Sequence, residues 1–167
     1  MAKLTRAQRE RARARAANAA LLGYRNRARV RYTQGAARWS GIKGRRNARQ
    51  GEFPFYADCS AFATWCLWNA LFIPYRKRDV VNGAAWKAGF TGTQIAHGRR
   101  VKAGALMAGD LVFYAARGTT PTHVAICVGR RNRKAMVVSH GSDSGPLYLP
   151  WDYRRVVQCR RYIHDGV

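Results

Sequence analysis

Tyr56-Ala57-Asp58-Cys59-Ser60-Ala61-Phe62-Ala63-Thr64-Trp65-Cys66-Leu67-Trp68-Asn69-Ala70-Leu71 is the stretch from which the rest of the chain is read. Beyond Ser60 it is apolar almost all the way round and carries no charge, the composition of a buried helix rather than an amphipathic one. Pro54 precedes it, and Asp58 and Ser60 are residue types that cap helix starts. Cys59 is therefore expected where a buried helix begins, beside free backbone N–H groups and the positive end of the helix dipole. Such surroundings lower a thiol's pKa. Cys66, one or two turns further along the same run, has the features of an inert buried thiol. Cys59 can be read in that way too. What separates it is the local order of polar residue, Cys, polar residue, buried helix, and a nucleophilic Cys also needs a histidine brought from elsewhere in the fold.

The chain has 167 residues, enough for one domain with a core that needs no disulfide staples. A hydrophobic content of 47% with five Trp fits a globular body. The net charge of +23 is unevenly placed, because residues 1–50 hold 15 Lys or Arg against the single acid Glu10. A field of that sign implies a polyanionic partner: nucleic acid, an anionic membrane face, or the acidic polymers of a cell envelope. Four Cys without CxxC spacing exclude a disulfide scaffold, and Cys127 and Cys159 in strand-like segments are either one bridge or two buried thiols. No HExxH, no CxxC and only eight acids speak against a metal centre, and no Gly-rich phosphate loop opens a helix. No cofactor is expected, and the expected state is a monomer. No run is long enough to span a bilayer, and the charged N-terminal stretch lacks the apolar core of a signal peptide. The expectation is a soluble cytoplasmic product whose extracellular work, if any, needs another way out.

Residues 1–30 read as a basic helical extension and 31–167 as the main domain. Thr5 with Gln8 gives a capping-box pattern for a helix over 5–29. Arg6, Arg9, Arg11, Arg13 and Arg15 point around the whole circumference, so the first half is not expected to bury a face, while Ala16–Leu22 can dock on the body. The basic half is open to three readings: a solvated face, an electrostatic arm on an anionic envelope, or a nucleic-acid arm. Residues 30–55 read as an ordered loop punctuated by glycines, with Tyr32 and Trp39 as anchors. Pro74 is expected to end the central apolar run, and 75–105 to be a Gly-rich connection with short helical pieces. Strands are expected at Leu111–Ala115, Thr122–Val128, Ala135–His140 and Val156–Ile163. Helices first and strands later predict an α+β domain, with an antiparallel sheet packed on the helix that starts at Cys59.

His123 opens the second of these strands and His140 ends the third. If the two strands pair as a hairpin around 129–134, the rings become neighbours, and the second can hold the first. Cys59, His123 and His140 then supply nucleophile, base and orienting group. The alternative is two unrelated surface histidines at strand ends. His97 and His164 have no such partner and read as surface residues.

Taken together, these pieces resemble the NlpC-type cell-wall cysteine peptidases, which have a circularly permuted papain-like fold. The matching residues are Asp58-Cys59-Ser60 at a helix start and Ala108-Gly109-Asp110-Leu111-Val112-Phe113-Tyr114. After them come Thr122-His123-Val124-Ala125-Ile126-Cys127-Val128-Gly129 and Val138-Ser139-His140-Gly141. The flanking text is similar to peptidase domains of endolysins from phages of actinobacteria, through Tyr32-Thr33-Gln34-Gly35, Arg38-Trp39, Gly92-Thr93-Gln94 and Pro150-Trp151-Asp152-Tyr153. The resemblance implies Cys59 as nucleophile, His123 as general base and then acid, and His140 as the orienting member. It also implies that Tyr56, Asp58 and Ser60 line the substrate groove, with Asp58 pairing a free amine of a peptidoglycan stem peptide. The implied activity is cleavage of a stem-peptide bond, D-Glu–diaminopimelate, on the bacterial wall after release from the cell. Ala61 stands where the family has Gly, and the Arg-rich first turns lie outside the family pattern. Two rivals stay open: an amidase cutting the muramoyl–L-alanine bond, and a basic nucleic-acid-binding protein with an incidental Cys and His.

Overall fold

Thr5 starts the first helix as its pattern predicts. Its hydroxyl accepts from the Gln8 N–H at 3.2 Å, and the Gln8 side chain accepts from the Thr5 N–H at 2.8 Å. In the computed structural model, which describes residues 2–167, this helix, α1, spans Arg6–Arg25. Ala12, Ala16, Ala19 and Ala20 are fully buried and share one core with Phe62, Ala63 and Cys66. The expectation that the arginine-rich half buries no face is thus overturned. Alanines spaced three and four apart make a stripe without bulk, and the backbone settles onto the body while the arginines splay to either side. Arg13 even donates inward, to the Ile163 carbonyl at 2.7 Å. The first residues are tied down as well, since Leu4 is buried, its N–H donates to the Val167 carbonyl at 2.6 Å, and the Lys77 ammonium donates to the Ala2 carbonyl.

After β1 (Arg31–Tyr32) and the single turn of α2 (Ser40–Lys43), β2 (Tyr56–Ala57) leads into α3, Cys59–Leu67. Every residue of α3 is buried. β1 and β2 pair in parallel, which lashes the 30–55 segment to the entrance of α3. Pro74 does not end the run. The helix widens to a π segment over Trp68–Phe72 and continues through α4, Ile73–Tyr75. A proline has no N–H to give, and its ring crowds the carbonyl four residues back; one wide turn moves that carbonyl aside. The chain stops at Arg76, whose backbone is left-handed with φ 53° and whose N–H returns to the Phe72 carbonyl at 2.8 Å.

α5 (Thr91–Ala96) precedes the sheet strands β3 (Arg99–Val101), β4 (Leu111–Tyr114), β5 (His123–Arg131), β6 (Lys134–Ser139), β7 (Leu147–Pro150) and β8 (Val156–Arg161). They form one antiparallel sheet in the order β3-β8-β4-β5-β6-β7. The molecule is a mixed helix-and-sheet, α+β fold. The two edge strands, β3 and β7, are the ones the sequence pattern does not announce. Leu111, Phe113, Val124, Ile126 and Val138 face α1 and α3. Val112, Tyr114, Ala125, Cys127, Val137 and Cys159 make a smaller cluster on the other face, where Cys127 and Cys159 are free thiols. Asn132 and Arg133, with φ 49° and 67°, form the two-residue turn between β5 and β6, and the ladder slips between Cys127 and Gly129.

The segment after β6 is locked to the end of α1 at Gly145. Its φ is 75°, and a Cβ there would lie 2.1 Å from the Arg27 carbonyl oxygen. Gly145→Ala is therefore expected to cost at least about 2 kcal/mol, from backbone strain plus collision with main chain. Urea unfolding checks it, and an unchanged midpoint would mean that this loop is not held where it lies.

Candidate active site

Asp58 is the N-cap of α3, extended at φ −103°, and its carboxylate is spoken for on both sides. One oxygen accepts from the Ala61 N–H at 2.6 Å and the Ser60 hydroxyl at 2.9 Å, and the other from the Arg38 guanidinium at 2.8 Å. Arg38 is fixed in turn by a bond to the Gly89 carbonyl. Of the three residues expected to line a groove, Tyr56 is 41% exposed, while Asp58 and Ser60 are buried at 5% and 2% and satisfy each other. A substrate amine reaches Asp58 only by competing with Arg38.

Cys59 follows the cap and is 8% exposed. Burial, and after it the Asp58 charge, pushes its thiol up to about 11, against the N–H groups of Val124, Ser60 and Cys59 itself. The expected lowering at the helix start is thus reversed, because lost hydration and the capping carboxylate outweigh the dipole. Val124 follows His123, and its backbone is among the groups that act on the thiol, which places the thiol near the first residues of β5. Burial first, then Arg154 and His140, takes the His123 imidazole down to about 4. The resting pair is a neutral thiol and a neutral ring.

His123 Nε2 lies 2.7 Å from Ser139 Oγ, which lies 2.7 Å from the Tyr153 hydroxyl. Tyr114 backs both rings, at 5.8 Å from His123 and 5.0 Å from Tyr153, and its own hydroxyl donates to the Trp151 carbonyl at 2.7 Å. With Nε2 on Ser139, Nδ1 is the nitrogen left to meet a thiol proton. His140 does not hold this ring. Ile126 pairs with Val138, and continuing that register sets Gly141 opposite His123 and His140 opposite Val124. A Cβ on Gly141 would indeed lie 3.1 Å from the His123 ring. His140 consequently turns to the core face, against Tyr32 at 5.5 Å and Phe62 at 5.8 Å, with Nε2 3.4 Å from the Arg31 carbonyl. Its Nδ1 is buried without a partner among the described residues. Ser139, the residue missed, was findable from the same alternation once the hairpin register is counted, since it shares a face with Val137, Ala125 and His123.

Tyr32 completes the surroundings. Gln34 donates to its hydroxyl at 3.1 Å, and burial raises its phenol. Beside His123 a cavity of about 340 Å³ is lined by Tyr114, Thr122, Arg154 and Arg155. His97 and His164 make other contacts, with the Thr93 carbonyl and the Gly166 N–H. Among the described residues no three His, Cys, Asp or Glu could hold a metal ion together, and no helix is long and apolar enough to cross a membrane.

A buried Cys at a helix start, with a histidine at the head of the adjoining strand, is an arrangement suited to acyl transfer. A profile of the NlpC/P60 family matches residues 38–145, about two thirds of the chain. The chain belongs to the NlpC/P60 family. NlpC/P60 proteins are cysteine peptidases acting on peptidoglycan. The NlpC/P60 match includes Cys59, His123, Ser139 and His140 and stops short of Tyr153. No curated protein matches the chain.

The neutral resting pair gives this NlpC/P60 site a testable signature. Alkylation of Cys59 by iodoacetamide, followed by mass spectrometry of its peptide, is expected to rise steadily from pH 7 to pH 10. A plateau reached below neutrality would instead reveal a preformed thiolate–imidazolium pair.

Proposed function

We propose that this NlpC/P60 protein is a peptidoglycan endopeptidase with a circularly permuted papain-like fold, cutting the D-Glu–diaminopimelate bond of stem peptides in the manner of a phage endolysin. Cys59 is the nucleophile and His123 the base and then the acid. The support is one juxtaposition: the backbone of Val124, the residue after His123, acts on the Cys59 thiol at the buried start of α3, while the ring of His123 is fastened from behind by Ser139. Arg154 and Arg155, lining the cavity beside His123, suit a substrate rich in carboxylates.

The resting thiol keeps its proton, so attack and proton transfer go together. As sulfur bonds to the scissile carbonyl carbon, His123 Nδ1 takes the thiol proton. The oxyanion is met by the Cys59 N–H and the Tyr32 hydroxyl, each donor worth roughly 3 kcal/mol in sites of this kind. His123 passes its proton to the leaving amine and a thioester remains. Water, giving its proton back to His123, then frees the acid and the thiol. Ser139 has the orienting role that sequence reading gives to His140. Its Oγ accepts from Nε2–H, which keeps Nδ1 bare and facing the thiol, and its own proton can pass to the Tyr153 oxygen. His140 then belongs to the floor beneath α3. The exposed arginines of α1 hold the protein to the anionic envelope as a charged face of the body.

Digestion of diaminopimelate-type peptidoglycan, read by mass spectrometry, is expected to give new amino termini on diaminopimelate with the wild type and with Cys66→Ala, and none with Cys59→Ala. Stem peptides beginning at L-Ala would identify an amidase, and turnover by Cys59→Ala would remove the thiol from the mechanism. Ser139→Ala is expected to lower kcat about 10- to 100-fold with little change in KM, and Tyr153→Phe to lower it less. A full-rate Ser139→Ala enzyme, or a loss confined to KM, would show that Ser139 does not orient the base.

A further inference from the structure

The far end of the helix that begins at Cys59 is also hollow. A cavity of about 650 Å³ is walled by Trp68, Phe72 and Trp86, with Arg45, Arg76 and Lys87 around it. Its aromatic side is built: Trp68 and Phe72 stack at 5.9 Å and 14°, and Phe72 meets Trp86 at 6.4 Å. The three cations are exposed. On the other side of the 45–50 loop lies a second cavity of about 370 Å³, lined by Arg15, Arg25 and Arg49 with Asn18 and Asn69. Neither lining contains an Asp or a Glu. Glu52, the acid closest in sequence to the loop, is already engaged by the Asn47 N–H at 2.8 Å.

One observation asks for an anion here. Arg15 Nη1 is buried and has no hydrogen-bond partner among the described residues, although it belongs to a residue that lines the second cavity. A buried guanidinium nitrogen left unmatched is costly, and a bound anion would satisfy it.

We propose that the two cavities form a non-catalytic binding site for an anionic saccharide chain, with sugar packed on the Phe72 and Trp86 side and phosphate or carboxylate groups on the arginines either side of the loop. The chemistry follows from the lining, and the assignment of a cell-wall source rests on the peptidase reading. From Cys59 to Trp68–Phe72 is roughly 15–20 Å of helix, so a wall chain can be held while a stem peptide occupies the thiol. The site would keep the protein on its substrate between cuts.

The test compares two charge-matched variants of the full chain in the Cys59→Ala background. One carries Arg45→Gln, Arg49→Gln, Arg76→Gln and Lys87→Gln; the other carries Lys102→Gln, Arg117→Gln, Arg131→Gln and Arg133→Gln. All eight positions are exposed, and thermal melts check that both variants fold. The probes are poly(glycerol phosphate), purified sacculi, sacculi stripped of phosphate polymers by acid, and double-stranded DNA. The first variant is expected to bind sacculi about tenfold more weakly and the second within about twofold of the parent. With Cys59 restored, both should hydrolyse a soluble stem peptide at the parental rate. Loss seen only with unstripped sacculi and poly(glycerol phosphate) assigns the anion to phosphate, and loss that persists on stripped sacculi assigns it to glycan carboxylates. Equal loss in both variants would overturn the site in favour of net charge. Loss confined to DNA would overturn it in favour of nucleic acid. Absence of hydrolysis by the parent would defeat the peptidase reading and leave the binding result standing.

Discussion

One carboxylate holds the entrance of α3 together. Asp58 caps the helix through the Ala61 N–H, engages the Ser60 hydroxyl and neutralises Arg38, and Arg38 in turn reaches across to Gly89. With Asp58 5% exposed, its removal would leave a guanidinium, a hydroxyl and a helix N–H short of an acceptor in a nearly dry place. Losing one partner of such a cluster typically costs several kcal/mol. Everything chemical hangs from this cap, because Cys59 is the next residue and its sulfur is set by where the helix starts. The same charge raises the thiol, so the residue that positions Cys59 also keeps it protonated.

That tension shapes how the site sits with the fold. His123 is held neutral down to about 4, whereas an ordinary histidine protonates near 6.5. The unfolded chain therefore binds the proton first, and stability falls as pH drops from 6.5 towards 4. Cys59 is held protonated up to about 11 against an ordinary 9, so the unfolded chain ionises first, and stability falls as pH rises from 9 towards 11. Between those limits both groups are neutral in either state and neither acts against folding. A neutral pair is also the cheaper one to bury, since each ion would need its own hydrogen-bond partners.

Much of the fold, with Cys59 at a buried helix start and His123 at the head of a strand, was legible in the sequence. The uncharged run after Ser60, the capping residues and the alternation around His123 announce α3, the central strands and the α+β class without help from contacts. What stayed hidden depends on single-residue geometry. The slip between Cys127 and Gly129 and the two-residue turn at Asn132-Arg133 set which of two adjacent residues, Ser139 or His140, faces His123, and strand periodicity alone leaves that open. Pro74 reads as a stop, yet a π turn just before it carries the helix on to Tyr75. The first half of α1 reads as burying no face because five arginines dominate it, while the determining residue is Ala12 between them. The thiol's direction of shift was misread because a helix terminus is visible in sequence and the degree of burial is not.

The residues behind His123 extend the site beyond the family's own span. Ser139 lies inside residues 38–145, whereas Tyr153, the next link, is in the turn between β7 and β8 and lies outside them. That turn is fixed by the Trp151 N–H on the Ala135 carbonyl at 3.1 Å, the Lys134–Asp152 ion pair at 2.9 Å and the Tyr114 hydroxyl on the Trp151 carbonyl. All three anchors reach back to β4 or to the start of β6, strands that also position His123 and Ser139. The orientation of the His123 imidazole is therefore determined by the sheet as a unit. Residues 146–167 also supply β7, paired to β6, and β8, paired to β4, so the strand that carries Ser139 and the strand beside His123 are both braced from outside the matched span.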